Sequence, residues 1–268
     1  MSPPITPWDS AGSKTATCAD EAKGPVWDLP IRILHWGFAI LLATSVGLAL
    51  GAEHNPTLFR WHMLLGLAAS GLLVLRVALG FAGSRYARFW NFPLRPSAVA
   101  TYFKGIFSNA TTRYPGHNPG SALAATSMFV LIAALVSTGA GWGGGELKEA
   151  HGPLAYTLIA VIVLHLAGLG MHAVRHRENV LIPMLTGRKQ GNPDQAAKAL
   201  HPVWSCALVL AGVMWIVSLF QGHTPGASTA RLPLTGTVVS LGKDGRREGR
   251  HSDREHEDHG RGSPRSHN

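Results

Sequence analysis

Four histidines lie inside hydrophobic stretches of this chain: His35, His62, His151 and His165. Ionisable side chains are costly in lipid and rare there, so each asks for a buried partner. His151 and His165 are fourteen positions apart. On a helix that spacing is a rise of about 21 Å and a net rotation of about 40°. One helix then presents two imidazoles on one face at two depths. That geometry suits two stacked metal centres, with the other two histidines completing them. Two neutral imidazoles on opposite sides of an iron porphyrin make six-coordinate haem, which moves electrons and leaves the iron no open position for a substrate. The chain has no CxxCH, so such haem is not attached through thioethers, and Cys18 and Cys206 form no CxxC.

The elements that must position these histidines are membrane spans. Hydrophobic residues are 46% of the chain and charged residues 15%. Five runs, at about 31–51, 62–82, 120–142, 152–173 and 203–220, approach the roughly 20 apolar residues that cross a bilayer. In lipid they must be helices, because no water is there to satisfy an open backbone. The expectation is an all-α transmembrane bundle: a four-helix di-haem core plus a fifth C-terminal span. The first thirty residues hold no apolar core, so no cleavable signal peptide is expected. Residues 1–25 read as a disordered segment, 26–190 as the bundle, 191–222 as linker and fifth span, and 223–268 as a polar disordered tail. The tail histidines His251, His256, His259 and His267 suit at most loose metal binding.

Loop charge sets the orientation. Arg85, Arg88, Arg95, Lys104 and Arg113 lie between the second and third spans, and Arg175, Arg177, Arg188, Lys189 and Lys198 between the fourth and fifth. The opposite connections hold only Arg60 and Lys148. Positive loops stay cytoplasmic, which places the N-terminus inside and, after five spans, the C-terminus outside. The net charge of +9 is thus mainly a topology signal, and a nucleic-acid partner is not expected.

Depth then decides which histidines meet. His62 and His151 begin spans that run inward, so both lie near the outer face. His35 begins an outward span and His165 lies deep in an inward one, so both lie near the cytoplasm. Two pairs result, His62 with His151 and His35 with His165, and none is left over. A lone intramembrane histidine is often structural or a proton relay; the matched depths favour ligand pairs. Gly47, Gly66, Gly168 and Gly170 leave room for a flat ring, although small residues also serve plain helix packing.

Arg76 follows His62 by fourteen positions, on nearly the same face at the inner level. It is placed to meet haem propionates or a quinone head group, or else to snorkel to the surface. His172 lies at the cytoplasmic end of the fourth span. His54 and His117 fall in connections, where exposure is the default.

The residues Trp27-Asp28, Arg32 through His35-Trp36, Trp61-His62 through Gly66, Leu75-Arg76, Gly80-Phe81 and Tyr86 through Phe89 form a recognisable series. It continues with Gly116-His117-Asn118-Pro119-Gly120, His151 and Leu164-His165 through His172. From about Val26 to Lys189 the chain resembles the bacterial cytochrome b561 family. That family includes the cytochrome b subunit of nickel–iron hydrogenases and the gamma subunit of formate dehydrogenase. The resemblance implies two haem b groups, with those four histidines as axial ligands. It also implies an exchangeable quinone beside the inner haem, where Asn118 and His172 match that neighbourhood. Asn-Pro also reads as a plain turn at a helix start.

The leading functional expectation is a di-haem b-type cytochrome of the bacterial inner membrane. It carries electrons between the quinone pool and a periplasmic redox protein such as a hydrogenase, a dehydrogenase or a c-type cytochrome. His165 or His172 would handle quinone protons. Two alternatives stand beside it: a stand-alone superoxide/quinone oxidoreductase, and a metal-ion transporter. Almost no Asp or Glu lies in the spans, which weakens the transporter. The sequence leaves a homo-oligomer open.

Overall fold

The computed structural model describes residues 23–52, 55–108, 114, 116–140, 144–177, 179, 181–190, 201–223 and 229–241. His54, Cys18, Arg113 and the tail histidines lie outside them. So do most of the terminal segments expected to be disordered.

Proline sets where most of the long helices start. α1 (Leu29–Gly51), α2 (Pro56–Ala82), α3 (Pro96–Phe107) and α4 (Pro119–Gly139) each carry proline in the first two positions, as does α8 (Pro202–Gln221). Proline's fixed φ suits a first turn, where its missing N–H costs nothing. Asn55 and Asn118 cap α2 and α4 through their side chains, Asn55 accepting from Thr57 N and Leu58 N and Asn118 from Ser121 N. Between α4 and α8 lie α5 (Gly144–Glu149), α6 (His151–His176) and α7 (Leu181–Thr186). α6 ends at Arg177 in the left-handed conformation, a common helix terminator.

Among the described residues five helices are long and apolar enough to cross a membrane: α1, α2, α4, α6 and α8. The molecule is therefore an all-α bundle of membrane-crossing helices, as expected. α2 begins six residues before the expected 62, because its first two turns, with Arg60, are too polar for a hydropathy window. Outward-facing Val74, Leu164 and Val174 are exposed, as lipid-facing positions must be.

The long helices pack as two pairs. α1 lies along α2, and α4 lies along α6. The pairs meet chiefly through α2 and α4, and α6 makes no extended contact with α1 or α2. A slot therefore runs between the pairs. α8 packs outside the four, on α2. Gly71 makes that approach close: a Cβ there would lie 2.2 Å from the Trp215 ring nitrogen, which donates to Leu67 O at 3.2 Å.

Two short ladders depart from the sequence expectation. β1 (Lys23–Pro25) pairs antiparallel with β2 (Arg188–Gln190), so the end of the 1–25 segment is tied to the end of the bundle. β3 (Thr229–Arg231) pairs with β4 (Val238–Ser240), within the stretch 223–268 expected to be an unstructured tail. Ala230 and Leu241 bury against Leu64, Leu67 and Ala68 of α2 and Leu219 of α8. A few apolar side chains meeting an already built helix face suffice to order a hairpin that composition alone marks as polar.

Candidate functional site

The slot holds two chambers, and each receives one of the expected histidine pairs. A narrow chamber of about 100 Å³ is lined by His62 of α2 and His151 of α6, with Ser45, Gly66 and Gly139. The two imidazole centroids are 6.1 Å apart and their planes stand at 86°. His62 Nδ1 lies 2.9 Å from both the Ser45 carbonyl and the Ser45 hydroxyl. His151 Nδ1 lies 3.0 Å from the Thr138 hydroxyl. Both hydrogen bonds use Nδ1, which leaves Nε2 as the atom for a metal. Gly139 gives the second ring its place, since a Cβ there would meet His151 Cε1 at 3.2 Å.

The wide chamber, about 1130 Å³, is lined by His35 of α1 and His165 of α6. Arg76, His117, Asn118 and His172 line it too, with Tyr102 of α3 and much of α7. His35 Nδ1 is buried with no hydrogen-bond partner. Gly168 on its wall, and Gly66 on the wall of the narrow chamber, have nothing within 4 Å of a built Cβ, whereas Gly47 and Gly170 are exposed and line neither chamber. A flat group entering the slot from either end therefore meets open helix faces.

Arg76 does not snorkel. It is 6% exposed and donates to Ala87 O at 3.3 Å. Its guanidinium lies 5.3 Å from the Phe89 ring centroid and 4.9 Å from that of Phe129. The short connection after α2 makes this stack: a Cβ on Gly80 would come within 2.1 Å of Phe89, so only glycine lets that ring return over the helix. No salt bridge to an acid is found for Arg76 among the described residues. A buried cation without a carboxylate is costly unless another anion or acceptor meets it.

His117, expected to be exposed, is half-buried under aromatic rings. Its ring lies 4.8 Å from both the Trp27 and Phe92 centroids. Burial, then the nearby Arg76 charge and the imidazoles of His165 and His35, push its pKa down to about 3. It is therefore a neutral hydrogen-bonding group facing the wide chamber. Only the aromatic character of Trp27 and Phe92 hinted at this, and nothing in the sequence brings those two residues together. Asn118 Oδ1 is engaged as the α4 cap, accepting from Ser121 N at 2.7 Å, while the residue also lines the chamber.

Peripheral segments close the chamber. Arg175 of α6 donates to Ile106 O at the end of α3, 2.8 Å away. Trp36 Nε1 donates to Met184 O of α7 at 3.3 Å, and Arg32 to Leu185 O. Gly187, at φ +78°, turns its carbonyl to Val26 N and Trp27 N. A Cβ there would approach Trp27 O to 2.6 Å. Among the described residues no three or more His, Cys, Asp or Glu side chains gather where they could hold a bare metal ion. The transporter alternative thus lacks a donor set there.

One family model matches the chain: that of prokaryotic cytochrome b561, over residues 26–187, well over half its length. No curated protein and no solved structure matches it.

Proposed function

The chain belongs to the prokaryotic cytochrome b561 family, a family of membrane haem b electron-transfer proteins, and on that premise we propose a di-haem wire with one haem b at each end of the slot. His62 and His151 would hold one iron, and His35 and His165 the other. The observation that carries the proposal is the sorting of four histidines into two chambers between two helix pairs. Each pair draws its ligands from opposite walls of the slot, α1 or α2 on one side and α6 on the other.

The residues fit the group. Metal–imidazole bonds are about 2 Å long, so two of them and two rings span a distance close to the 6.1 Å between His62 and His151. The narrow chamber has room for the iron-bearing centre, and a porphyrin there would lie against Gly66. Bound in this way, bis-histidine haem supplies reversible one-electron transfer with no vacant iron position.

The chain's own residues differ between the ends. In the wide chamber Arg76 offers a desolvated cation to a propionate or a quinone oxygen. His117, neutral there, offers a hydrogen bond and no charge. His172 and Asn118 lie on the same wall, where protons of a quinone would be exchanged. With the N-terminus cytoplasmic, this end faces the cytoplasm and the His62/His151 end faces a periplasmic redox protein, such as a hydrogenase, dehydrogenase or c-type cytochrome. The chain would then lie in the bacterial inner membrane with its C-terminus outside.

Purified protein should show a reduced-minus-oxidised b-type spectrum and about two haems per chain by pyridine haemochrome assay. A ratio near one would overturn the two-centre scheme, and a colourless protein the haem reading itself.

A further inference from the structure

The geometry points to Ser45 and Thr138 as positioning residues that lock the two narrow-chamber imidazoles in their iron-binding tautomer and tune that haem. Each acts through a histidine: Ser45 through His62 and Thr138 through His151. The inference rests on the proposed haem at His62 and His151.

The hydrogen bonds determine the tautomer. The Ser45 carbonyl can only accept, so the His62 Nδ1 that lies 2.9 Å away must carry its proton there. That proton is shared with the Ser45 hydroxyl, also at 2.9 Å. Thr138 reaches the same result by a different path. Its single hydroxyl proton goes back to its own helix, to Ala134 O at 2.9 Å or Leu135 O at 3.1 Å. The lone pairs left on Oγ1 then accept from His151 Nδ1 at 3.0 Å. Both rings therefore keep their free lone pair on Nε2. Ser45 and Thr138 are 8% and 6% exposed, so water does not compete for these bonds.

The helix pairing makes each a unit. Ser45 is on α1 and anchors the ligand of its partner α2; Thr138 is on α4 and anchors the ligand of its partner α6. α4 bears no expected iron ligand, and this is its contribution to the site. His35 in the wide chamber differs: among the described residues its buried Nδ1 has no hydrogen-bond partner.

An acceptor at Nδ1–H makes the imidazole more basic towards a metal, which favours the ferric state. Removing the acceptor should raise the potential of that haem alone. Thr138→Val should shift the reduced-to-oxidised ratio of the narrow-chamber haem three- to tenfold at fixed potential, about 30–60 mV at 59 mV per tenfold. Thr138→Ser should restore it. Ser45→Ala should have a smaller effect, since the Ser45 carbonyl still accepts at 2.9 Å; the Leu135 carbonyl, which also meets His151, limits the loss in Thr138→Val.

The experiment is optical redox titration of wild type and these three variants in detergent, with low-temperature ferric spin resonance beside it. The 86° ring planes should give one strongly anisotropic low-spin signal, and Thr138→Val should move it. Loss of one haem in Thr138→Val but not in Thr138→Ser would also support the role. Unchanged potentials and spectra in Thr138→Val, or equal loss of haem in the valine and serine variants, would overturn it. A wild-type protein without two b haems would instead strike the reading on which it rests.

Discussion

The two ends of the slot are built on opposite plans. At the narrow end two imidazoles face each other 6.1 Å apart, each fastened from behind by a hydroxyl on the neighbouring helix. At the wide end the chamber is about 1130 Å³, and among the described residues one imidazole nitrogen is buried without a hydrogen-bond partner and a guanidinium is buried without an acid. The first arrangement is complete in itself. The second is a wide cavity with several polar side chains on its walls. A site that only passes electrons wants fixed ligands and little else. A site that also admits a diffusible molecule needs space, hydrogen-bonding groups and segments such as α3 and α7 that close over it.

That contrast can be broken most directly by removing ligands singly. His62→Ala or His151→Ala should cost the narrow-chamber haem and leave the other, halving haem per chain. His35→Ala or His165→Ala should do the reverse. The pyridine haemochrome assay with potentiometry distinguishes them. Loss of both haems from every single variant would mean that the two ends are not independent.

Arg76 sharpens the comparison next. Arg76→Gln keeps a hydrogen-bonding group and removes the charge. A hydrogen bond to a charged group is worth about 1.5–3 kcal/mol, so quinol-driven haem reduction should slow ten- to hundredfold. The narrow-chamber potential should stay where it was. Stopped-flow reduction by a quinol analogue checks the first, and redox titration the second. An equal fall in both potentials would place Arg76 in the general field of the protein rather than in one chamber.

The smallest effect concerns His117. Its pKa is about 3 in the folded protein against an ordinary value of 6.5. Between those values the unfolded chain binds the extra proton and the folded one does not. Stability is therefore full above pH 6.5 and is lost as pH falls towards 3, with a slope of at most about 1.4 kcal/mol per unit. Thermal unfolding in detergent from pH 7 to pH 5 should show the decline, and His117→Gln should flatten it. An unchanged slope in that variant would mean that His117 is not the group responsible.

Much of this was legible before any coordinates. Hydropathy marks the five spans because lipid demands long apolar helices. Loop charge and counting along each span sort the histidines by depth, and the chambers hold His62 with His151 and His35 with His165 as that counting predicts. Depth needs only the rise per residue. What lies beside what at one depth needs the rotation and packing of each helix. Ser45 and Thr138 were therefore invisible as anchors, being unremarkable hydroxyls in apolar helices. His117 read as an exposed loop residue because Trp27 and Phe92, far from it in sequence, are the rings that cover it. The hairpin of β3 and β4 escaped for a related reason: its few apolar residues gain meaning only against Leu64, Ala68 and Leu219.

By itself the sequence determined which helices are long and apolar enough to cross a membrane and the relative level of each histidine along them. Both follow from local composition and from the fixed rise of a helix. Only the tertiary structure decided that the helices pack in two pairs with a slot between them, that one end is tight and the other roomy, and which hydroxyl stands behind which imidazole. Those features depend on how whole helices turn towards one another. That is set by the sum of many side-chain contacts, with glycines such as Gly71, Gly80 and Gly139 deciding where rings and backbones come close.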